Sequence, residues 1–149
     1  MNDIEICPLK LEHIDRILVI DSLCFPTPWS RESLEKEIEN SALTKYVVAK
    51  KSGIVIGYAG MWVILDEGHI TNIAVHPEYR GIGVGSLLLE ALIEICKIEF
   101  IKSMTLEVRA SNARAQNLYK KYGFLQNGIR KGYYRDNKEN ALIMWKYNI

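Results

Sequence analysis

The apolar positions of this chain repeat with two periods, and the switches between them mark out its elements. From Asp3 to Cys7 polar and apolar residues alternate, with Ile4 and Ile6 on one side, which predicts a short strand ended by Pro8. Leu11, Ile14, Ile17, Leu18 and Asp21 recur at helical spacing, so a helix is expected from about residue 10 to about 22. Phe25-Pro-Thr-Pro-Trp29 then breaks the chain, because two prolines so close leave little room for helix. Ser30 is a good N-cap, and Glu32 lies in the first turn, where the helix dipole favours an acid. A second, acidic helix follows to about Asn40.

Residues 46–49 and 54–65 read as strands joined by a tight turn at Lys51-Ser52-Gly53. Asp66-Glu67-Gly68 reads as a further turn, and Ile70 to Val75 as a third strand of an antiparallel meander. The period then lengthens. Val84, Leu87, Leu88, Ala91, Leu92 and Ile95 stripe a helix of about four turns, with Ser86, Glu90, Glu94 and Lys97 facing away. Met104 to Val108 is a buried strand, and Asn112 to Tyr122 a short helix stopped by Gly123. Two extended segments, roughly 124–134 and 140–147, finish the chain. The order β-α-α-β-β-β-α-β-α-β-β predicts an α+β (three-layer α/β) fold, a mixed sheet flanked by helices. No repeat, low-complexity tract or linker interrupts it, so residues 1–149 are expected to form one domain.

Composition narrows the function classes. Nineteen Lys/Arg against eighteen Asp/Glu leave a formal charge of +1, which argues against a general electrostatic grip on nucleic acid. The three cysteines, Cys7, Cys24 and Cys96, form no CxxC pair, so neither a disulfide framework nor a zinc ribbon is expected. His13, His69 and His76 have no ligand spacing, and no metal is expected. MNDIEICPLK lacks the basic start and apolar run of a signal peptide. No stretch approaches ~18 uninterrupted apolar residues, so no membrane span and a cytoplasmic location are expected.

The most informative stretch is Ile73-Ala-Val-His-Pro-Glu-Tyr-Arg-Gly-Ile-Gly-Val-Gly-Ser86. A buried strand runs into Pro77, and three alternate glycines lead into an amphipathic helix. Helix N-termini carry unsatisfied N–H groups and partial positive charge, and glycines let an anion approach that backbone closely. A phosphate or pyrophosphate is the natural guest, with Arg80 adding charge at the entrance. A Walker loop needs GxxxxGK[ST], which is absent. A dinucleotide fingerprint needs GxGxxG, and Ser86 stands where its third glycine belongs. On backbone logic the ligand is a phosphorylated cofactor of unspecified kind.

Arg80-Gly81-Ile82-Gly83-Val84-Gly85 resembles the R/Q-x-x-G-x-G/A motif of the GCN5-related N-acetyltransferases (GNAT), whose loop binds the pyrophosphate of acetyl-coenzyme A. The likeness continues through Asn72-Ile-Ala-Val75, Leu106-Glu-Val-Arg-Ala-Ser-Asn112 and Asn117-Leu-Tyr-Lys-Lys-Tyr-Gly-Phe124. With Pro28-Trp29-Ser30 and Tyr133-Tyr134, these runs are similar to the bacterial ribosomal-protein-alanine acetyltransferases of the RimI type. The resemblance implies a mostly antiparallel GNAT sheet. It also implies acetyl transfer from acetyl-CoA to a protein N-terminal amine, that of a small-subunit ribosomal protein, without metal. It assigns the cofactor to the loop residues Arg80, Gly81, Ile82, Gly83, Val84, Gly85 and Ser86, to Asn112 and Tyr119, and to the Ile73-Ala74-Val75 main chain. Those three strand residues are expected to hold the pantetheine arm and polarise the thioester carbonyl.

Glu107 is the expected base and Tyr119 the expected acid. A free α-amine titrates near ~8 against ~10.4 for lysine, so deprotonating an N-terminus at neutral pH costs about 3 kcal/mol less. One carboxylate suffices for that task. Glu107 lies on the strand face opposite Leu106 and Val108, where it serves as this base or pairs with Arg109 two positions on. Tyr119 is the proton donor to coenzyme A by family position, or a core residue beside Leu118 and Tyr122. Asn112 is also a good N-cap. Arg114, Lys120 and Lys121 are available to the cofactor's 3′-phosphate. Cys24 has no histidine placed to activate it and is not required. Trp29 is either a hydrophobic staple or part of a peptide groove. Tyr133 and Tyr134 line the acceptor side or pack a strand end. The acidic helix is a solvated face or attracts a basic tail. Two rivals remain: the same fold acting on a polyamine, an aminoglycoside or a lysine side chain, and a non-catalytic coenzyme A sensor.

Overall fold

The computed structural model describes residues 3–40 and 42–149; the N-terminal run read above includes Met1 and Asn2, which lie outside them. Among the described residues seven strands and four α-helices follow one another as expected: β1 (Ile4–Pro8), α1 (Ile14–Cys24), α2 (Arg31–Glu39), β2 (Thr44–Lys51), β3 (Ile54–Ile64), β4 (Glu67–Val75), α3 (Val84–Ile98), β5 (Ser103–Arg109), α4 (Ala113–Lys121), β6 (Leu125–Arg130) and β7 (Ala141–Lys146). The strands form one sheet in the order β1-β2-β3-β4-β5-β7-β6, antiparallel except at β4–β5. The parallel pair needs a crossover, and α3 supplies it.

Local chemistry explains most boundaries. Ser30 caps α2 by accepting from the Ser33 amide, and Asn112 caps α4 by accepting from the Ala115 amide at 3.1 Å. Ser52 and Gly53 both take positive φ, the two-residue turn that matches strand twist in a tight hairpin. The next turn lies earlier than expected. It occupies Leu65 and Asp66, so β4 begins at Glu67 rather than Ile70.

Helices cover the sheet on both faces. The α3 stripe (Leu88, Leu89, Leu92 and Cys96, all fully buried) packs against Ile56, Ala59, Met61 and Met104. On the other face Ile17 and Ile20 of α1 and Leu34 of α2 pack with Val48 and Tyr58. Each fully buried Leu or Ile contributes about 1.5–3 kcal/mol.

One irregularity positions everything that follows. Met61 pairs with Ile70 and Gly60 with Asn72, so Thr71 is an extra residue on β4. A bulge bends its strand. β4 and β5 stay paired only from Glu67↔Ser103 to His69↔Thr105. Beyond that register they separate, and β4 from Ile70 to Val75 keeps one unpaired edge.

Candidate active site

β4 ends at Val75, a 3-10 turn runs from Pro77 to Tyr79, and Gly81 and Gly83 take φ of 82° and 90° before α3 begins. L side chains are strained at such angles, so these two glycines are what the turn requires. Gly83 is the N-cap of α3, no side chain caps the helix, and its first turn holds no acid. The first amides are therefore left for an external acceptor. A Cβ on Gly83 would meet nothing within 4 Å, and one on Gly81 would lie 3.8 Å from the Arg114 guanidinium. The loop thus presents open amides with a cation beside them, a donor set that fits a diphosphate.

This loop floors a cleft of about 580 Å³ whose walls are Ile73–Val75 of β4, Gly83–Ser86 of α3, and Asn112, Arg114, Ala115, Leu118 and Tyr119 of the α4 region. Arg80 lines the cleft but turns its guanidinium inward, donating from Nε to the Val75 carbonyl at 3.1 Å and from Nη2 to Cys24 Sγ at 3.3 Å. Cys24 Sγ also donates to that carbonyl at 3.4 Å. Of the expected main-chain contacts, the Val75 carbonyl is thus already engaged. Ile82 is about half exposed and does not line the cleft.

A second cavity of about 810 Å³ opens in the gap between β4 and β5. Glu107 faces it from β5; Phe25–Thr27 wall one side and Tyr133–Asp136 the other. Cys24, Phe25, Ile73, Asn112, Ala115 and Tyr119 line both spaces, so cleft and cavity meet there. Tyr119 is only 8% exposed and packs on Phe124 with ring centroids 5.8 Å apart, so it is a core residue as well as a junction residue. Burial, then the Tyr134 phenol, pushes its own phenol well above the ordinary tyrosine range.

The pairing of Glu107 with Arg109, the alternative to its serving as base, is not observed. Glu107 Oε1 lies 3.2 Å from Arg130 Nε, a cation from β6 that reaches diagonally across β7. Arg109 instead turns to Asp136 and Glu139 at 3.0 and 3.3 Å. Sequence spacing places Glu107 and Arg109 on one strand face, but it holds no record of the better partners across the sheet.

Glu139 Oε2 accepts from the Ser111 amide at 2.6 Å. Hydrogen bonds from Ser111, and further ones from Asn137 and Arg109, hold its carboxyl at about 2. A depressed carboxylate stabilises the fold above its unfolded value, and that contribution is lost as pH falls toward the folded one. The Ser111 amide resonance should therefore titrate with a midpoint near pH 2, followed by ¹⁵N-resolved NMR; a midpoint at the ordinary carboxylate value would show the contact open in solution.

Trp29 stands where a staple would, and it also lines a groove with Ser33, Glu37 and Trp62. It precedes the Ser30 cap and joins the cluster that buries Leu34, its indole donates to Asn72 Oδ1 at 3.2 Å, and its amide donates to buried Asp21 at 2.6 Å. Tyr58 donates to the same Asp21 carboxylate. This network holds the Phe25–Thr27 wall. Sequence reasoning did not connect Phe25 or Tyr79 with the cleft, because nothing local reports that α1 ends beside the glycine loop.

Residues 14–124 match the acetyltransferase (GNAT) family model. A Bacillus subtilis protein named "Putative ribosomal protein bS18-alanine N-acetyltransferase" is 44% identical over 137 residues, covering 92% of this chain and 91% of that one. The ribosomal protein bS18-alanine N-acetyltransferase of Haemophilus influenzae is 36% identical, covering 99% of this chain and 97% of its own. The crystal structure of the ribosomal-protein-S18-alanine N-acetyltransferase from Escherichia coli superposes with a TM-score of 0.89 at 32% identity, covering 97% of this chain and 94% of that one. With glycine loop, split sheet and sequence in agreement, the chain belongs to the acetyltransferase (GNAT) family.

Proposed function

We propose that this chain, as one domain over residues 1–149, carries acetyl from acetyl-CoA to the α-amine of a protein N-terminus, the N-terminal alanine of a small-subunit ribosomal protein. The observation that carries this reading is the junction at Tyr119, Asn112 and Ile73, where the cleft beside the glycine loop opens into a cavity lined by Glu107. The amides of residues 81–86, with Arg114 beside them, would hold the diphosphate. The unpaired edge of β4 would take the pantetheine arm, and the thioester would lie at the junction. Names of relatives that span nearly the whole chain support the acceptor.

The reaction is direct attack in a ternary complex. The neutral amine nitrogen bonds to the thioester carbon, the carbon–sulfur bond breaks, Glu107 receives the amine proton, and the Tyr119 hydroxyl donates to the departing thiolate. Cys24 takes no part as nucleophile, and no acetyl-enzyme accumulates. Three free cysteines support a reducing location, the cytoplasm.

The rival acceptors are separated by initial rates on three substrates: a peptide with the N-terminal residues of bS18, the same peptide with its α-amine blocked and a lysine added, and a polyamine. The first should be turned over fastest, with the acetyl group on its terminal nitrogen by tandem mass spectrometry. Faster turnover of either other substrate would overturn the acceptor.

A further inference from the structure

Ten residues separate Arg130 from Ala141, a long connection for two antiparallel neighbours, where hairpin loops usually run 2–5 residues. A loop of this length is expected to be mobile unless something ties it down. Only Tyr134 and Glu139 within it are partly buried; the other eight residues are exposed. Apolar packing therefore holds little of it. Its internal backbone bonds are few: Tyr134 N–H to Glu139 O at 3.2 Å and Lys138 N–H to Tyr134 O at 2.8 Å. Yet this loop supplies Tyr133–Asp136, one wall of the Glu107 cavity.

We propose that Arg109 is the positioning residue that staples this loop to β5 and so fixes the acceptor wall relative to Glu107. The guanidinium binds Asp136 through both carboxylate oxygens, at 3.1 and 3.0 Å from Nη2, and from Nη1 it donates to Asn137 Oδ1 at 3.2 Å and Glu139 Oε1 at 3.3 Å. Its Cζ stands 4.0 Å from the centroid of the Tyr134 ring. One planar group thus holds four residues of the loop at once, and it stands two positions from Glu107 on the same strand face. The fork matters: Nη2 serves Asp136 while Nη1 serves Asn137 and Glu139, and a lysine ammonium, a point charge, does not reproduce that division together with ring stacking. Without the cation, Asp136 and Glu139 would face each other uncompensated. Ser111 N–H to Glu139 Oε2 at 2.6 Å, Ala110 N–H to Asn140 O at 3.0 Å and Gly132 N–H to Asn140 Oδ1 at 3.0 Å secure the loop's ends, and Arg130 stands 5.9 Å from the Tyr133 ring centroid; the contacts of Tyr134, Asp136 and Asn137 to the sheet run through Arg109.

The inference rests on this cavity being the acceptor site, so its test reads the loop both with and without an acceptor. Arg109→Met, Arg109→Lys and the double variant Asp136→Asn/Glu139→Gln are compared with the wild-type protein. The measurements are hydrogen–deuterium exchange, acetyl-CoA affinity by calorimetry, and kinetics on the bS18 peptide. Arg109→Met should speed exchange across 131–140 while leaving α3 unchanged. It should raise the peptide KM about tenfold, with kcat and acetyl-CoA affinity within about twofold. Arg109→Lys should fall between it and the wild type, and the double variant should follow Arg109→Met. Unchanged exchange in the loop would overturn the proposal. So would a KM that rises in Arg109→Met but not in the double variant, since Arg109 would then act by touching the acceptor. Faster loop exchange in a protein whose wild type acetylates no N-terminus would keep the staple and remove its acceptor role along with the proposed function.

Discussion

Glu107→Gln should lower kcat on the bS18 peptide by about 10²–10³-fold at pH 7, the range expected when a positioned acid–base group is lost. Glutamine keeps the shape but does not accept the amine proton. Acetyl-CoA affinity should be unchanged, because Glu107 lines the acceptor cavity and not the cofactor cleft. The fold should survive as well, since the abandoned partner Arg130 is about half exposed and remains solvated. An α-amine of pKa ~7.8 is about one part in seven neutral at pH 7, so supplying the free base is worth only about 1 kcal/mol. The larger share of the effect must come from taking the proton as the carbon–nitrogen bond forms. The deficit should therefore narrow, but not vanish, as pH rises through 8 in stopped assays. Full activity at pH 7 with normal acetyl-CoA affinity would remove Glu107 from the mechanism.

Tyr119→Phe should lower kcat by about 10–10²-fold with little change in stability. The ring stays packed on Phe124, and only a hydroxyl at the junction is lost. A smaller effect than that of Glu107 follows from the chemistry. A thiol titrates near ~8.5, and burial raises the Tyr119 phenol above its ordinary ~10, so full transfer to the thiolate runs uphill. The phenol stays protonated throughout the working range and serves chiefly as a hydrogen-bond donor to sulfur as charge develops. Acetyl donors with better leaving groups should therefore narrow the gap between wild type and variant. An equal gap across a series of thioesters of falling thiol pKa would contradict this role.

The element order and the glycine loop were legible because their signals are local. The α3 stripe, the Ser30 and Asn112 caps and the stop after the last helix each depend on residues within a turn or two. What escaped depends on pairing between distant segments. The Thr71 bulge that splits β4 from β5 is a matter of register against Gly60, and no spacing within β4 announces it. Asp66-Glu67-Gly68 read as a turn because a glycine follows two acids, whereas pairing with β3 and β5 makes Glu67 and Gly68 strand. The partner of Glu107 was not legible for the same reason: Arg130 lies 23 positions later and reaches it only once β7 is in place. Arg114 stood in the sequence as one of three cations available to the 3′-phosphate, and only the path of α4 past Gly81 brings its guanidinium beside the glycine loop.

The central claim is that the amides of residues 81–86 and the Arg114 guanidinium form a seat for the diphosphate of acetyl-CoA. Isothermal titration of the purified protein with acetyl-CoA tests it without any assumption about the acceptor. The account predicts saturable heat with one ligand per chain, weakened when S-acetylpantetheine, which lacks the diphosphate, replaces the whole cofactor. No heat with acetyl-CoA, or equal affinity for fragments without the diphosphate, would contradict it.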